Sequence, residues 1–371
     1  MKREALLIYG SSETDADLFH ATGFLVPDPV IFLQVGRKKT LVLPDLEIGR
    51  GRDEARVDEI LSLSEMQRGL GRGAPVARVI RRLLRDRGLR RVTVPDRFPV
   101  GLADPLRAGG IRVRWKPAPF RPQRVRKTPE EVRAIEAVQR AVEEAVGRAV
   151  DLLRRARIRG DRVVYRGRTV TSELLKTVIH GALLERECLG KDTIVAPGDQ
   201  GCDPHHRGQG PILPGRTVIL DVFPRSTATR YFADMTRTVV KGRASPEVRR
   251  MYEAVREAQE RVFSMLRAGA DGRGVHRRVQ EFFRRRGFRT GPWGRKMEGF
   301  FHGTGHGVGL EIHEAPFLGP RGGRIAAGAV VTVEPGLYYP GVGAVRLEDM
   351  VLVTRTGCRN LTRFPKVLEI P

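Results

Sequence analysis

The chain has 371 residues, 40% of them hydrophobic, and a formal net charge of +24. This length suits two domains, and the apolar fraction is too high for a mainly disordered chain. No apolar run reaches the roughly 18 to 20 residues that a membrane helix needs, and none at the start is long enough for a secretory signal. We therefore expect a cytoplasmic protein that does not contact a membrane.

The basic excess has two interpretations, since Lys plus Arg total 67 against 43 Asp plus Glu. Such a charge can neutralise the phosphates of a nucleic acid. The arginines, however, are scattered along residues 3–363, and few aromatic residues lie among them. We favour a basic solvated surface and expect no specific nucleic-acid partner.

The three cysteines are odd in number and share no CxxC spacing. They are expected to be reduced thiols, neither a disulfide framework nor a zinc site.

The first part of the chain alternates short apolar runs with turns. Runs bounded by Gly and Pro predict strands at residues 5–9, 30–35, 40–43 and 92–94, and an amphipathic pattern predicts a helix at 78–85. This order indicates a small α/β domain over residues 1–124. The Pro-marked segment PAPFRPQRVRKTPEE then suits a linker.

The second domain, residues 125–371, begins with a strong helix start. Thr128 is a good N-cap, Pro129 suits the first helical position, and two glutamates follow. Further helices are predicted at residues 172–187, 251–266 and 275–285, and residues 328–370 are rich in strand patterns. The fold class is therefore α+β, with helices packed on a largely antiparallel sheet.

Acids and one histidine lie in or beside the apolar runs of this domain: Asp221, Asp234, His306, Glu334 and Glu348. Each alone could cap a turn or pair with an arginine. Together they indicate a metal site, because buried charges need partners and because hard oxygen ligands with an imidazole suit Mn, Co, Fe or Zn. Two ions sharing carboxylates would lower the pKa of a water and polarise a carbonyl, which favours hydrolysis.

The motifs VILD, ADMTRT, HGTGHGVGLEIHEAP, VEPGLY and RLED, in this order, resemble the pita-bread metallopeptidases over residues 128–371. This family includes Xaa-Pro aminopeptidases, prolidases and methionine aminopeptidases. The segments ATGF, VIFLQV and LVLPDLE are similar to the creatinase-type N-terminal domain of the Xaa-Pro branch. Since methionine aminopeptidases lack that domain, the resemblance implies a C-terminal pita-bread fold preceded by a smaller α/β domain, and proline-linked substrates.

The resemblance also implies the role of each metal ligand. Asp221 would chelate one metal, and Asp234 and Glu348 would bridge both. His306 and Glu334 would complete the second metal, with Glu334 also carrying the proton of the attacking water.

Other residues match positions around the family's substrate. His313 would stabilise the tetrahedral intermediate, and His302 matches a histidine on the substrate side. Arg346 and Tyr338 would orient the acids beside the substrate.

Two features near the first aspartate leave alternatives open. A pocket histidine is expected before it, and either His205 or His206 qualifies; each could equally be an exposed loop residue. The aspartates Asp221 and Asp234 lie 13 positions apart (234 − 221), two more than is usual in the family. Since the spacing stays odd, a longer hairpin loop would leave both aspartates on one face.

The expected function is hydrolysis of the N-terminal peptide bond of small peptides, preferably Xaa-Pro, of aminopeptidase P or prolidase type. Two divalent ions are expected, manganese first, with cobalt, zinc or iron as alternatives, and the resemblance implies a homodimer. The alternatives are a catalytically altered protein of this fold that binds a partner, a hydrolase of a non-peptide amide or amidine, and an inactive dimer. The retained set of ligands favours catalysis.

Overall fold

The computed structural model describes residues 4–71 and 73–371. Residues 1–3, part of the chain start considered above for a secretory signal, lie outside the described residues. The chain divides into two compact units, Met1–Arg124 and Val125–Pro371. No helix within the described ranges is long and apolar enough to cross a membrane.

The first unit contains, in chain order, β1 (Ala5–Gly10), α1 (Ala16–Thr22), β2 (Val30–Val35), β3 (Lys38–Leu43), α2 (Ile48–Glu54), β4 (Glu59–Ser62), α3 (Leu63–Gln67), α4 (Val76–Asp86), β5 (Arg91–Pro95), α5 (Val100–Ala108) and β6 (Arg112–Lys116). The strands form a mixed sheet in the order β4-β3-β2-β1-β5-β6. The predicted strands and the predicted helix of this unit are confirmed. The elements that the sequence analysis did not predict are short. They are the edge strands β4 and β6, which have little burial, and the helices α1, α2, α3 and α5, of five to nine residues each.

Both faces of this sheet are buried. Leu7 and Ile8 are neighbours on β1 and therefore point to opposite faces, yet both are fully buried. Leu7 packs in the cluster that contains Val79 of α4, and Ile8 packs in the cluster that contains Leu18 of α1. Helices on both sides thus shield the central strands from water.

The Pro-marked segment contains the boundary between the two units, as a linker should, but its first-unit end is buried. Arg121 and Arg124 are 8% and 5% exposed, and a 3-10 turn spans Pro122–Val125. The carboxylate of Asp17, itself buried, accepts from the backbone N–H of Arg121 at 3.1 Å and pairs with the Arg124 guanidinium at 3.2 Å. A buried carboxylate needs such partners, and this need folds the segment back.

The second unit contains β7 (Arg157–Arg159), β8 (Arg162–Tyr165), β9 (Arg168–Thr169), β10 (Cys188–Leu189), β11 (Ile194–Pro197), β12 (Thr217–Val222), β13 (Arg225–Ser226), β14 (Met235–Lys241), β15 (Gly291–Trp293), β16 (Lys296–Glu298), β17 (Gly305–Gly307), β18 (Glu314–Leu318), β19 (Val330–Val333), β20 (Gly336–Tyr339), β21 (Gly343–Arg346), β22 (Asp349–Val353), β23 (Cys358–Asn360) and β24 (Glu369–Ile370). Its helices are α6 (Pro129–Arg155), α7 (Ser172–Leu184), α8 (Pro246–Met265) and α9 (Gly272–Arg285).

The helix predictions for this unit are confirmed. The Thr128 hydroxyl accepts from the N–H of Glu131, and the Glu131 carboxylate accepts from the N–H of Thr128, which forms a capping box. The buried face of α6 includes Ile135, Val142 and Val146, as the apolar spacing predicts.

The strands of this unit pair mostly in antiparallel fashion, as predicted. One sheet has the order β11-β12-β14-β24, and another has the order β18-β17-β19-β22-β23. In the first sheet Asp221 pairs with Thr236 in the β12–β14 hairpin. Since Asp234 and Thr236 are two residues apart, both lie on the face of Asp221, as the odd spacing predicts.

A buried ion pair holds β14 to β22. The Arg237 guanidinium contacts Asp349 Oδ1 at 2.9 Å and donates to the carbonyl of Glu348 at 2.7 Å. The side chains of Arg237 and Asp349 are only 2% and 1% exposed. Hydrogen bonds from this arginine also reach the carbonyls of Phe364 and Pro365.

We expect Arg237→Met to lower the free energy of unfolding by about 3 to 5 kcal/mol, because it breaks the buried ion pair with Asp349 and leaves buried carbonyls without their donor. Denaturant unfolding of the metal-free protein measures this difference. Arg256→Met is the control, since Arg256 and Glu253 form an exposed helix pair that contributes about 0.5 kcal/mol or less. Equal effects of the two substitutions would contradict the prediction.

Candidate metal centre

The five residues predicted as metal ligands all line one cavity of about 640 Å³. Each comes from a strand or from a residue next to one. Asp221 lies near the end of β12, Asp234 directly precedes β14, and His306 is the middle residue of β17. Glu334 follows β19, and Glu348 directly precedes β22.

Ligand atoms converge at the base of this cavity. His306 Nε2 lies 3.4 Å from Glu334 Oε1 and 3.7 Å from Asp234 Oδ2. One donor atom each from Asp234, His306 and Glu348 lies within 4.8 Å of the others. This separation suits donors that share a divalent ion between them.

Burial and mutual repulsion oppose ionisation of these acids. Desolvation by burial, reinforced by the charge of Glu348, raises the pKa of Asp234 well above its ordinary value. Burial likewise raises the pKa of Glu348 strongly and that of Glu334 to about 8. A bound cation inverts this tendency, because it stabilises the ionised carboxylates.

Two carboxylate oxygens test whether the residues fit a metal. Asp221 Oδ1 and Asp234 Oδ1 are buried and accept no hydrogen bond from any described residue. Buried acceptors without partners are costly, and a divalent ion would satisfy both. Oxygen donors with one imidazole are also the set that Mn, Co, Fe or Zn accepts, so the residues fit such ions.

His306 is prepared to act as a ligand. Burial, with the nearby His313 ring, lowers the pKa of His306 to about 3 and keeps it neutral. Its Nδ1 lies 3.2 Å from the carbonyl of Gly307, which can only accept, so Nδ1 carries the proton. The lone pair of Nε2 is therefore directed toward the acids.

A hydrogen-bonded chain connects Asp221 with His302, and both of these residues line the cavity. Arg346 donates to Asp221 Oδ2 at 2.7 Å and to the Tyr338 hydroxyl at 2.9 Å. That hydroxyl lies 2.8 Å from His302 Nε2, and His302 Nδ1 lies 2.7 Å from the carbonyl of Gly303. The Gly303 carbonyl accepts a hydrogen bond, so Nδ1 carries the proton and Nε2 accepts from the Tyr338 hydroxyl. The chain of hydrogen bonds therefore orients both Asp221 and His302.

The other histidines predicted at the site differ in whether they line the cavity. His313 packs edge-on to His306 with 4.3 Å between ring centroids, and both His313 and His205 line the cavity. His206 is not one of the residues that line it, and its Nδ1 accepts from the backbone N–H of Gly208 at 3.0 Å. Of the two histidines that the sequence left open, His205 lines the cavity and His206 does not. A substrate-binding role for either one stays a prediction.

The glycines around His306 serve strand packing. A Cβ on Gly305 would lie 2.0 Å from the carbonyl oxygen of Thr332, and a Cβ on Gly307 would lie 2.5 Å from that of Ala315. Glycine at both positions therefore lets β17 pack closely between β18 and β19. His306 lies between the two glycines.

Sequence reasoning missed two threonines that hold the acids. Thr236 donates to Glu348 Oε2 at 2.7 Å, and Thr332 donates to Glu334 Oε1 at 3.4 Å. Both threonines are fully buried. The available signal was a hydroxyl residue within an otherwise apolar buried strand, two positions from an acid, as in VVTVEPG.

Solved structures define the class of fold. The crystal structure of X-Pro aminopeptidase from Thermotoga maritima superposes with a TM-score of 0.81 and 24% sequence identity, and the match covers 100% of this chain and 98% of that one. The prolidase of Pyrococcus horikoshii gives a TM-score of 0.80 with 24% identity, over 99% and 95% of the two chains. The fold is the pita-bread arrangement with a preceding smaller domain, as predicted.

Sequence comparison defines the family. The sequence profile of Metallopeptidase family M24 matches residues 133–355, and the chain belongs to this family. The Xaa-Pro dipeptidase of Pyrococcus furiosus is 33% identical over 250 residues, which are 66% of this chain and 65% of that relative. This match therefore spans slightly less than two thirds of the relative's own length.

We expect Asp234→Asn to lower the metal content of the purified protein, because an amide is a weaker ligand than the carboxylate it replaces. Elemental analysis after dialysis against Mn²⁺ measures the number of ions per chain. Asp161→Asn is the control, since the Asp161 side chain is 90% exposed. An unchanged metal content in Asp234→Asn would remove Asp234 from the ligand set.

The metal-free protein is expected to lose stability as the pH rises. Glu334 titrates at about 8 when folded, against an ordinary value of 4.5, so the folded state holds a proton that the unfolded state has released between these values. Its contribution is fully present below pH 4.5 and is lost as the pH rises through 8. Asp234 and Glu348 shift in the same direction.

Mn²⁺ is therefore expected to raise the melting temperature more at pH 8 than at pH 5, since at low pH it must displace protons from the acids. Scanning fluorimetry with and without Mn²⁺ checks this. A shift of the same size at both pH values would show that the metal binds away from these acids.

Proposed function

We propose that this chain hydrolyses the N-terminal peptide bond of small peptides, preferably where proline is the second residue. Two divalent ions, manganese first, would be held by the cavity residues Asp221, Asp234, His306, Glu334 and Glu348. The observation that carries the proposal is the pair of buried aspartate oxygens without a hydrogen-bond partner among the described residues. Bound divalent ions would supply a lowered water pKa and polarisation of the scissile carbonyl.

Glu334 is the residue best suited to move the proton. Its side chain lies at the cavity, 17% exposed, within 3.4 Å of His306 Nε2. With a cation bound nearby, the ionised form of this carboxylate is stabilised, and an ionised carboxylate can accept a proton from a neighbouring water. Glu334 would take a proton from the attacking water and deliver it to the leaving nitrogen.

His313 and His302 would act on the substrate itself. His313 lies beside His306 at the cavity wall, where a donated N–H could stabilise the oxyanion of the tetrahedral intermediate. His302 is fixed by Tyr338 and by the Gly303 carbonyl, and would contact the substrate through its ring. His205 would line the same pocket.

The cavity walls favour a substrate without an N–H at the scissile bond. Ile194, Phe223, Phe301 and Phe317 contribute apolar surface to the cavity. An X-Pro bond is a tertiary amide that offers no N–H, and its pyrrolidine ring gains from apolar contact. The name Xaa-Pro dipeptidase, which the Pyrococcus furiosus relative carries, supports this substrate class.

Intact ligand positions weigh against a protein that only binds a partner or acts on an amidine. Each expected ligand is present and lines the cavity. We further propose a cytoplasmic enzyme that acts on peptides, without a specific nucleic-acid partner, and the expected homodimer stays a prediction.

The test is hydrolysis of Gly-Pro, Ala-Pro, Ala-Pro-Ala and Met-Ala-Ser by chelator-stripped protein, with and without added Mn²⁺, Co²⁺ or Zn²⁺. Cleavage before proline that depends on metal is the expected result. Preference for Ala-Pro would indicate a dipeptidase, and preference for Ala-Pro-Ala would indicate an aminopeptidase. Failure to cleave any member with metal bound would overturn the proposal.

We expect Glu334→Gln to lower kcat by about 10² to 10⁴, because the amide cannot exchange the proton. Steady-state kinetics on Ala-Pro measures the effect, and circular dichroism checks that the fold is retained. Glu130→Gln is the matched control, since the Glu130 side chain is 72% exposed at the start of α6. Near-normal turnover in Glu334→Gln would refute its role.

A further inference from the structure

Lys127, two residues before the first residue of α6, contacts the turn that carries His313. Lys127 Nζ lies 2.7 Å from Glu314 Oε1, and the two side chains are 2% and 6% exposed. The backbone N–H of Lys127 donates to the carbonyl of Gly328 at 2.8 Å, which fixes the lysine at its base. Glu314 is the residue directly after His313.

The Glu314 carboxylate is folded back under its own turn. Its Oε2 accepts from the backbone N–H of Glu311 at 3.3 Å. A Cβ on Gly309 would lie 2.5 Å from Oε1, so the carboxylate packs directly against the glycine backbone. Glu314 therefore fills the inside of the turn formed by residues 309–313.

A second contact connects the first turn of α6 with the chain just before Asp234. The Tyr231 hydroxyl donates to Glu131 Oε1 at 2.6 Å. The next residue, Phe232, donates its backbone N–H to the carbonyl of Gly309 at 2.8 Å. Since Asp234 follows two residues later, this stretch connects the turn to a predicted ligand.

We infer that Lys127 is a positioning residue for the reaction: by holding Glu314, it fixes the 309–313 turn and with it the imidazole of His313. This inference rests on the proposed function, in which His313 stabilises the intermediate. A buried ion pair adds little net stability over an apolar pair of the same size, but it fixes a geometry. Fixing matters here, because a displacement of about 1 Å at a catalytic group can cost about 10²-fold in rate.

The first experiment compares Lys127→Met with the wild type on Ala-Pro in the presence of Mn²⁺. We expect kcat per folded chain to fall about 10- to 100-fold, with KM and the number of bound ions changed less than about threefold. Arg126→Met is the matched control, since Arg126 is exposed and adjacent, and it should behave as the wild type. A kcat within about twofold of the wild type in Lys127→Met, or a fall matched by loss of metal, would overturn the inference.

A double-mutant cycle tests whether Lys127 acts through His313. In the His313→Ala background, Lys127→Met should lower kcat by less than about twofold further. The same full loss in that background would show that Lys127 acts elsewhere and would overturn the inference. If Lys127→Met alone does not fold, Lys127→Met/Glu314→Gln takes its place in the cycle, because it removes the buried negative charge together with the lysine.

A measurement without substrate separates this inference from the proposed function. Hydrogen exchange of the backbone amides at residues 309–313 should be at least about tenfold faster in Lys127→Met than in the wild type or Arg126→Met. Unchanged exchange would overturn the inference even if the wild type cleaves Ala-Pro. Faster exchange in a chain whose wild type cleaves no peptide would support the positioning of the turn and refute only the proposed function.

Discussion

Crowding of carboxylates in one buried cavity is the constraint on which the rest of the second unit depends. Asp221, Asp234, Glu334 and Glu348 line the same space, and Arg346 contacts only the first of them as an ion pair. Two like charges 4 Å apart repel by about 4 kcal/mol at an effective dielectric constant of about 20. Either protons or cations must offset this repulsion. The raised pKa values of Asp234, Glu334 and Glu348 show that the metal-free acids tend to keep their protons. Cations provide the second, which makes the cavity a place where metal binding and stability are coupled.

The framework holds this repulsive cluster by giving the strand ends polar anchors inside the core. Thr236 holds the Glu348 carboxylate, while Arg237 holds the Glu348 carbonyl and the Asp349 side chain next to it. Thr332 anchors the end of β19 in a similar way. Its hydroxyl donates to the Glu334 carboxylate and accepts from the backbone N–H of His306. Because these anchors are themselves buried, the ligand atoms keep their places without relying on exposed side chains.

The sequence predicted those features that local pattern determines. The capping residues before α6, the apolar run of β2 and the ordered acidic motifs each have a signature within a few positions. It did not distinguish His205 from His206, because the folded path of their loop decides which of the two lines the cavity. It also indicated a linker around Arg121 without showing that this end of the segment is buried. The backbone N–H of Arg121 donates to the carboxylate of Asp17, which lies more than 100 positions earlier. Tertiary contacts between distant residues decide such cases, and one sequence without its fold does not display them.

The same pairing of arginine with carboxylate has different consequences at the surface and inside. Along the exposed helices arginines pair with acids three or four residues away, as Arg261 does with Glu257, and such pairs contribute about 0.5 kcal/mol each. Arg346 makes the same contact with Asp221 in the cavity, where its removal would leave a buried charge and disorient a predicted ligand. Burial therefore decides what an arginine does in this chain. The chain has 67 basic and 43 acidic residues, and most of the basic excess lies on the solvated surface. The site depends instead on the few arginines that are buried.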